Sequence, residues 1–140
     1  MPVKKKKKIK AKPKGWYVKK LDAIFSQFIR LAYSNDAGYV ACYTCYTVKP
    51  WKEMQNGHYI SRSHMATRWE EKNCRVQCMQ CNVFKSGNYP AYSFRLLKEI
   101  GKKGMDELEA MGKEMRQFTP NELRELISLY TKKVKEYGNR

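Results

Sequence analysis

Two cysteine pairs constrain the fold of this chain more than any other feature. Cys42 and Cys45 form one C-x2-C pair, Cys78 and Cys81 form the second, and 32 residues lie between the pairs. Each pair places two thiolates on one side of a tight turn, and two such turns complete a tetrahedral zinc site. A redox role for one pair would leave the other unexplained. The pattern therefore predicts a structural zinc site that closes a long loop, with Cys74 as a spare thiol.

The length and charge of the chain indicate one small domain that binds a polyanion. The chain has 140 residues, which leaves room for one modest core. Its 29 Lys and Arg outnumber its 13 Asp and Glu, and ten of the lysines lie in the first twenty residues. We expect residues 1–15 to form a disordered basic arm, because they carry too little apolar surface to offset the entropy of ordering. Such an arm would add salt-dependent affinity for DNA.

Cysteine usage and hydropathy favour a cytoplasmic protein. The basic start is not followed by an apolar stretch of the length found in signal peptides, and no apolar run is long enough to span a membrane. Cysteines arranged in metal-binding pairs are typical of the reducing cytosol. We therefore expect no membrane partner.

Apolar side chains at spacings of three and four predict helices on both sides of the zinc loop. Gly101 is well placed as the C-cap residue of one of them. The string Thr119-Pro120-Asn121-Glu122 is typical of a capping box that starts the last helix. We expect helices at residues 19–33, 78–86, 91–100 and from 120 towards the C-terminus, with a weaker one at 105–115.

The loop closed by the zinc contains several short motifs. A histidine inside the loop, Asn73, and the ending Cys78-x2-Cys81-Asn82-x2-Lys85 resemble the HNH or ββα-metal nucleases, a treble-clef subclass. The Cys-Asn ending is similar to that of endonuclease VII-type junction resolvases. More closely, the strings GHYISR, ATRW and QCxxCNxxxSGN resemble the phage lambda NinG (Rap) family of recombination endonucleases. The resemblance covers roughly residues 20–100.

This resemblance implies an α+β fold and a reaction. A zinc-stabilised ββα-metal core with an N-terminal helix would occupy residues 16–100, followed by a helical extension at 101–140. His58 would be the general base that deprotonates the attacking water, and Asn82 would bind a catalytic Mg²⁺ or Mn²⁺. The implied activity is cleavage of branched DNA, such as Holliday junctions or D-loops, in the phage-infected bacterial cell. Recombination proteins would be further partners.

Elementary chemistry agrees with the roles of His58 and Asn82. Phosphodiester hydrolysis needs a base that titrates near neutrality and a hard cation that stabilises the developing charge. An asparagine carbonyl oxygen is a hard ligand, and Mg²⁺ can be held by one or two protein ligands with water and phosphate oxygens as the rest. We also expect a homodimer, because two symmetric cuts on a four-way junction require two active sites.

Other residues of the loop have less specific roles. Many HNH enzymes carry Asp or His just before the base, whereas this chain has Gly57, which leaves the second ligand of the catalytic metal open. Asn73 is expected to orient the site through backbone hydrogen bonds. His64 is expected at the surface or in contact with substrate. Arg62, Arg68 and Lys85 are candidates for holding the scissile phosphate.

Two hypotheses without catalysis compete with the nuclease interpretation. A non-catalytic, zinc-stabilised DNA-binding module would keep the cysteines and the basic arm but would not need His58 together with Asn82. A recruiting subunit would bind recombination proteins through its terminal helices.

Three aromatic residues, Trp51, Tyr59 and Trp69, could stack on unpaired bases, but we expect at least two of them to pack in the core.

Overall fold

The part of the chain that the computed structural model describes, Val3 and residues 11–140, contains four helices and two short antiparallel hairpins. The fold class is therefore α+β, as the sequence predicts. A five-residue π-helical segment, Gln80–Phe84, follows the second cysteine pair. The helices are α1 (Lys14–Ala32), α2 (Met65–Arg68), α3 (Tyr89–Gly112) and α4 (Pro120–Lys135), and the strands are β1 (Tyr39–Ala41), β2 (Val48–Pro50), β3 (Gln55–His58) and β4 (Cys74–Gln77).

Helix α1 begins earlier than its apolar periodicity indicates. Lys14 and Gly15 belong to the helix, although the sequence assigned them to the basic arm. Pro13 precedes the first helical residue and has an extended conformation. A proline has no backbone N–H and its ring clashes with the preceding turn, so a helix is not expected to extend from Pro13 towards the N-terminus. The rest of the predicted arm lies mostly outside the described residues.

The main core lies where α1 packs against α4 and against the hairpins. Leu21, Phe25 and Ile29 of α1 are almost fully buried. The ring of Phe25 meets that of Tyr130 of α4 edge to face, with 4.9 Å between the ring centres. Trp51 and Trp69 are buried, which confirms that at least two of the three aromatic residues are core residues. These contacts fix α1 across the hairpins.

Helix α3 closes a second, smaller cluster on the other side of β4. Arg75 of β4 is buried and pairs with Glu99 of α3 at 3.0 Å, and Tyr43 of the first cysteine turn donates a hydrogen bond to the same carboxylate. Gly101 has a φ of 73° and interrupts the helix with a kink. The two helices predicted at 91–100 and 105–115 are thus the two halves of α3.

The helix predicted around the second cysteine pair is replaced by the π-helical segment Gln80–Phe84. The β3–β4 hairpin pairs Gly57 with Arg75 and His58 with Cys74. His58 ends β3, as its position before an apolar pair indicated. No helix in the described part of the chain combines the length and hydropathy that a membrane span requires.

Candidate active site and metal centre

The four paired cysteines converge on one point. Their sulfur atoms all lie within 4.8 Å of one another, and the Sγ atoms of Cys45 and Cys78 are 3.6 Å apart. Tetrahedral zinc bonds of about 2.3 Å to sulfur require sulfur–sulfur distances of this order. Cys74 is not part of the group. The cluster could therefore hold a metal ion such as zinc, with all four protein ligands supplied by residues 42, 45, 78 and 81.

The electrostatics of the cluster also fit a dication. Burial alone would raise the pKa of the Cys42 thiol, but hydrogen bonds from Thr44 and from backbone N–H groups lower it to about 6. Burial and the neighbouring thiols raise the pKa of Cys78 to about 12. Thiolates this close repel one another, so all four can be deprotonated together only when a cation lies between them.

The cysteine cluster fixes one wall of an open cleft of about 620 Å³. Helix α1 forms the opposite wall, and β3 forms the floor. Of the predicted site residues, His58, Asn82 and Arg62 line the cleft, whereas Asn73, Arg68 and Lys85 do not. The other lining residues are Asp22, Phe25, Ser26, Arg30, Met54, Gln55, Asn56, Ser61, Val83, Ser86, Gly87 and Tyr89.

The hydrogen bond of His58 defines its tautomer. Its Nε2 lies 2.8 Å from the backbone carbonyl oxygen of Arg68. A carbonyl oxygen can only accept, so Nε2 carries the proton and Nδ1 of the neutral ring keeps its lone pair. Burial lowers the pKa of His58, opposed by the bond to Arg68 and by the charge of Asp22. The neutral, proton-accepting form is thus favoured.

Asn82 is oriented in a comparable way. Its side-chain N–H donates to the Gln55 side-chain oxygen at 2.8 Å, and its backbone N–H donates to the Cys78 carbonyl at 2.9 Å. The donor end of the amide is therefore turned towards Gln55 of β3. This leaves the carbonyl oxygen as the end of the side chain that can bind a cation.

Asp22, which the sequence analysis missed, organises the wall beside His58. Its carboxylate accepts from Arg68 Nε at 2.9 Å, from Arg68 Nη2, and from the indole N–H of Trp69 at 3.0 Å. Arg68 Nη1 donates to the Arg62 carbonyl at 2.9 Å. Because its guanidinium is occupied by these partners, the geometry favours a positioning role for Arg68 over the predicted phosphate contact.

The remaining predicted residues lie around the cleft. Asn73 is fully buried, accepts from Ile60 N–H at 2.7 Å and donates to the carbonyls of Ile60 and Thr67, so it holds the β3–β4 loop. Lys85 is exposed at the end of the π-helical segment. His64 is exposed, and its Nδ1 lies 3.1 Å from the Gly112 carbonyl.

Gly57 has no room for a side chain. A Cβ built there would lie 2.0 Å from Gln77 Oε1. The Gln77 side chain is held by hydrogen bonds from its N–H group to Thr44 Oγ1 at 3.1 Å and to the Gly87 carbonyl at 2.9 Å. The Asp or His that many HNH nucleases carry at this position would displace it. Residue 57 therefore supplies no ligand.

Two cationic side chains face the cleft. Arg62 is largely exposed, with Nη1 3.9 Å from the Asp22 carboxylate. Arg30 donates to the carbonyls of Ser26 and Trp51 and lies over the Trp51 ring. Asp22 is the one acidic residue among the described lining residues, and Arg68 already neutralises it. The cleft is therefore suited to an anion.

Comparison with known proteins places the chain among phage proteins of one family. A family model described as bacteriophage lambda NinG protein matches residues 2–139. The chain is 31% identical over 134 residues to protein ninG of Escherichia phage 933W and 30% identical over 134 residues to that of Escherichia phage lambda. These alignments cover 95% of this chain but 64% and 63% of the relatives. No solved structure matches the chain significantly.

Proposed function

The chain belongs to the bacteriophage lambda NinG family, whose model matches residues 2–139, and from that premise we propose that it is a metal-dependent endonuclease that cleaves branched DNA. The observation that carries the proposal is the pairing of His58 with Asn82 in one cationic cleft. In each side chain the N–H group is bound to another part of the protein. This leaves the lone pair of His58 Nδ1 and the carbonyl oxygen of Asn82 for chemistry.

His58 is proposed as the general base. Its Nδ1 takes a proton from a water molecule while the water oxygen forms a bond to phosphorus and the bond from phosphorus to the leaving oxygen breaks. The hydrogen bond to the Arg68 carbonyl keeps the ring in the tautomer that can accept this proton. The lowered pKa keeps the ring unprotonated near neutral pH. General bases of this kind contribute about 100- to 10,000-fold to a rate.

Asn82 is proposed to hold the catalytic Mg²⁺ or Mn²⁺ through its carbonyl oxygen. The donor set of the cleft fits such an ion, because an amide oxygen is a hard ligand and the open cleft leaves room for water and phosphate oxygens. When bound, the ion would stabilise the negative charge that develops on the phosphate. Arg62, whose side chain is largely exposed, would hold the phosphate, and Arg30, which donates through Nε and Nη1 to backbone carbonyls, would add its positive charge from the side of α1. Lys85 would contact DNA outside the cleft.

The order of elements around the cleft supports a ββα-metal core. His58 ends β3, the loop-holding Asn73 lies directly before β4, and the segment after β4 carries Asn82 directly behind Cys81. In this core the cysteine cluster clamps the segment and takes no part in the chemistry, because four thiolates leave zinc no open position for water.

Branched DNA as the substrate and a role in phage recombination rest on the family resemblance. The chain spans 64% of the length of the phage 933W relative, so the activity of those longer proteins reaches this chain as part of the proposal. A homodimer would supply the two active sites that paired cuts on a four-way junction require. The site of action would be the cytoplasm of the infected cell, with recombination proteins as partners.

The test is a nicking assay on a labelled four-way junction. Wild type, His58→Ala and Asn82→Ala are compared with Mg²⁺ or Mn²⁺, with no divalent metal, and with excess EDTA followed by Mg²⁺. His64→Ala is the matched control, since this exposed histidine does not line the cleft. We expect nicking by wild type and His64→Ala only when metal is present, and a loss of at least about 100-fold in the other two variants.

Failure would favour a different class of function. If wild type never nicks DNA under any metal condition, or if His58→Ala cuts as fast as wild type, the nuclease proposal is wrong. DNA binding that survives in all variants would then support the non-catalytic zinc-stabilised module.

A further inference from the structure

The segment that carries Asn82 also exposes large apolar side chains. Val83 is 54% exposed and Phe84 is 70% exposed, directly after the proposed metal ligand. Met79 on the same segment and Tyr89 at the start of α3 are also about half exposed, at 52% and 45%. Val83 and Tyr89 line the cleft. We call Met79, Val83, Phe84 and Tyr89 the rim patch.

The rim patch is held rigidly. Cys81 ties the segment to the metal centre, the Lys85 N–H donates to the Gln80 carbonyl at 2.9 Å, and the Gly87 N–H donates to the Cys81 carbonyl at 2.9 Å. The side-chain N–H of Asn88 points to Cys81 Sγ at 3.6 Å. Because the backbone of the segment is already ordered, binding needs to fix only the side-chain torsions of Phe84. Phe84 is therefore preorganised to insert into a partner.

The surroundings of the rim patch indicate what the partner is. The cleft beside it carries Arg30 and Arg62, Lys85 follows Phe84, and the chain has a net charge of +16. A partner that fills the cleft and covers the patch must combine negative charge with apolar faces. Nucleic acid has both, in its phosphates and its bases. In an intact duplex the base faces are stacked, but at a branch point they become accessible.

We propose that Phe84, supported by Val83, is a wedge that stacks on a nucleobase at the branch point of the DNA and so determines the preference for branched substrates. The inference rests on the proposed nuclease function and adds a specificity residue to it. Consecutive Cα atoms lie about 3.8 Å apart, similar to the rise of about 3.4 Å of one base pair. Asn82 and Phe84 are two residues apart, so a base stacked on Phe84 would lie within a few base steps of a phosphate held at Asn82. The wedge would couple the branch point to the position of the cut.

The test measures binding and base unstacking without cleavage. The 140-residue chain is bound to a four-way junction with 2-aminopurine at the branch point and to a linear duplex of the same sequence, with no Mg²⁺ or Mn²⁺ added. The variants are Phe84→Ala, Phe84→Trp to restore stacking, and Phe94→Ala as the matched control. Phe94 is exposed to a similar extent, 65%, but it lies on α3, ten residues beyond Phe84 and away from the segment that carries Asn82.

We expect wild type to raise the 2-aminopurine fluorescence and to prefer the junction over the duplex. Phe84→Ala should lose the fluorescence change and about 10-fold of the preference for the junction, within the range measured for aromatic–base stacking. Phe84→Trp should retain both, and Phe94→Ala should behave as wild type.

The outcomes separate this inference from the nuclease proposal. A junction preference that is absent in wild type, or unchanged in Phe84→Ala, overturns the wedge, whether or not the protein nicks DNA. A Phe84-dependent signal in a protein that never nicks DNA would support the wedge while refuting the nuclease. Loss of preference in Phe94→Ala to the same extent would also overturn the wedge, because it would mean that exposed aromatic residues act without regard to position.

Discussion

At the scale of single residues, the charge of Asp22 acts on His58 in two ways. It raises the pKa of His58 directly, and it holds the Arg68 side chain whose backbone carbonyl orients the imidazole. Burial, the largest effect, and the charges of Arg62 and Arg68 lower the same pKa. A general base must be neutral to accept a proton, so under the proposed mechanism the rate falls as the pH drops through the pKa of His58. In the pH–rate profile of wild type, the midpoint of the fall in rate on the acid side (the acid limb) should thus lie below 6.5, the ordinary pKa of histidine.

Asp22→Asn should shift this limb further down. Removing the carboxylate charge removes an influence that raises the pKa of His58, so the ring stays neutral to lower pH. The maximal rate should fall as well, by up to about 100-fold, because Arg68 loses the partner that fixes it. Nicking rates from pH 4.5 to 9 measure both effects. Asp36→Asn is the control, since Asp36 is fully exposed and pairs with Arg140.

An acid limb that moves upward, or stays in place while the rate falls, would contradict this account of Asp22. An unchanged limb with a lower rate would mean that Asp22 supports the fold of the wall but does not influence the pKa of His58.

The contact between Gly57 and Gln77 predicts a cost in stability. In Gly57→Ala the new Cβ would overlap Gln77 Oε1, and the Gln77 side chain cannot move without losing its bonds to Thr44 and Gly87. Overpacking of this kind lowers the free energy of unfolding by about 1–3 kcal/mol. Urea denaturation followed by circular dichroism measures it. Gly15→Ala, whose Cβ meets open space in α1, should not be destabilised, and equal stability of the two variants would refute the steric argument.

Sequence reasoning at this scale identified the candidate site residues that belong to a local motif. The four cysteines have fixed spacings, and His58 and Asn82 stand next to strand and cysteine signals, so they could be found without a structure. Asp22 and Arg30 lie on α1, far from the motif, and on a basic amphipathic helix they look like surface charges. Only the packing of α1 across the hairpins brings them to the cleft.

At the scale of elements, the start of α4 is the part that the sequence predicted in most detail. Thr119 accepts from the Glu122 N–H at 3.1 Å, and Glu122 accepts from the Thr119 N–H at 3.2 Å, which confirms the capping box. Helix α4 packs against α1, and α1 supplies a wall of the cleft. The cap therefore supports the site from a distance.

Thr119→Ala should lower the free energy of unfolding by about 1 kcal/mol, because the Glu122 backbone N–H loses the Thr119 hydroxyl that accepts its hydrogen bond. Chemical denaturation gives the value. Thr119→Ser, which keeps the hydroxyl, should retain most of the stability, and an equal loss in Ser and Ala would show that the cap is not responsible.

Elements whose apolar residues show no clear periodicity were harder to predict. Residues 46–77 looked irregular because their strands have three or four residues each, too few for alternation to stand out. The π-helical segment Gln80–Phe84 was expected as an ordinary short helix, since a widened turn has no composition signal of its own. The predicted end of a helix at Gly101 was found as a kink, because its φ of 73° breaks the helix while the chain resumes helical geometry afterwards.

At the scale of the whole molecule, the cluster of four cysteines joins the parts that build the cleft. Its cysteines come from the turn after β1 and from the start of the segment that carries Asn82 and the rim patch. Without a bound ion, four close thiols hold these parts together poorly, since metal binding in such small domains contributes much of the folding free energy. The zinc centre is therefore expected to control the fold and, through it, the cleft.

Cys78→Ser should lose the metal and unfold, whereas Cys74→Ala should keep one metal ion per chain. Cys74 is fully buried but lies outside the cluster, so its loss should cost only about 1 kcal/mol of packing. Metal content by elemental analysis and thermal unfolding by circular dichroism measure both. A folded Cys78→Ser protein with full nicking activity would contradict the clamp role.

The central claim is that His58 is the base of a DNA-cutting cleft, and single-turnover kinetics test it most directly. Wild type and His58→Ala, each in excess over a labelled four-way junction with saturating Mn²⁺, are followed to give the rate constant for nicking. The account predicts equal junction binding by a His58→Ala protein that is still folded, with a rate at least about 100-fold lower than that of wild type. Equal rates for the two proteins, or no nicking by wild type, would contradict it.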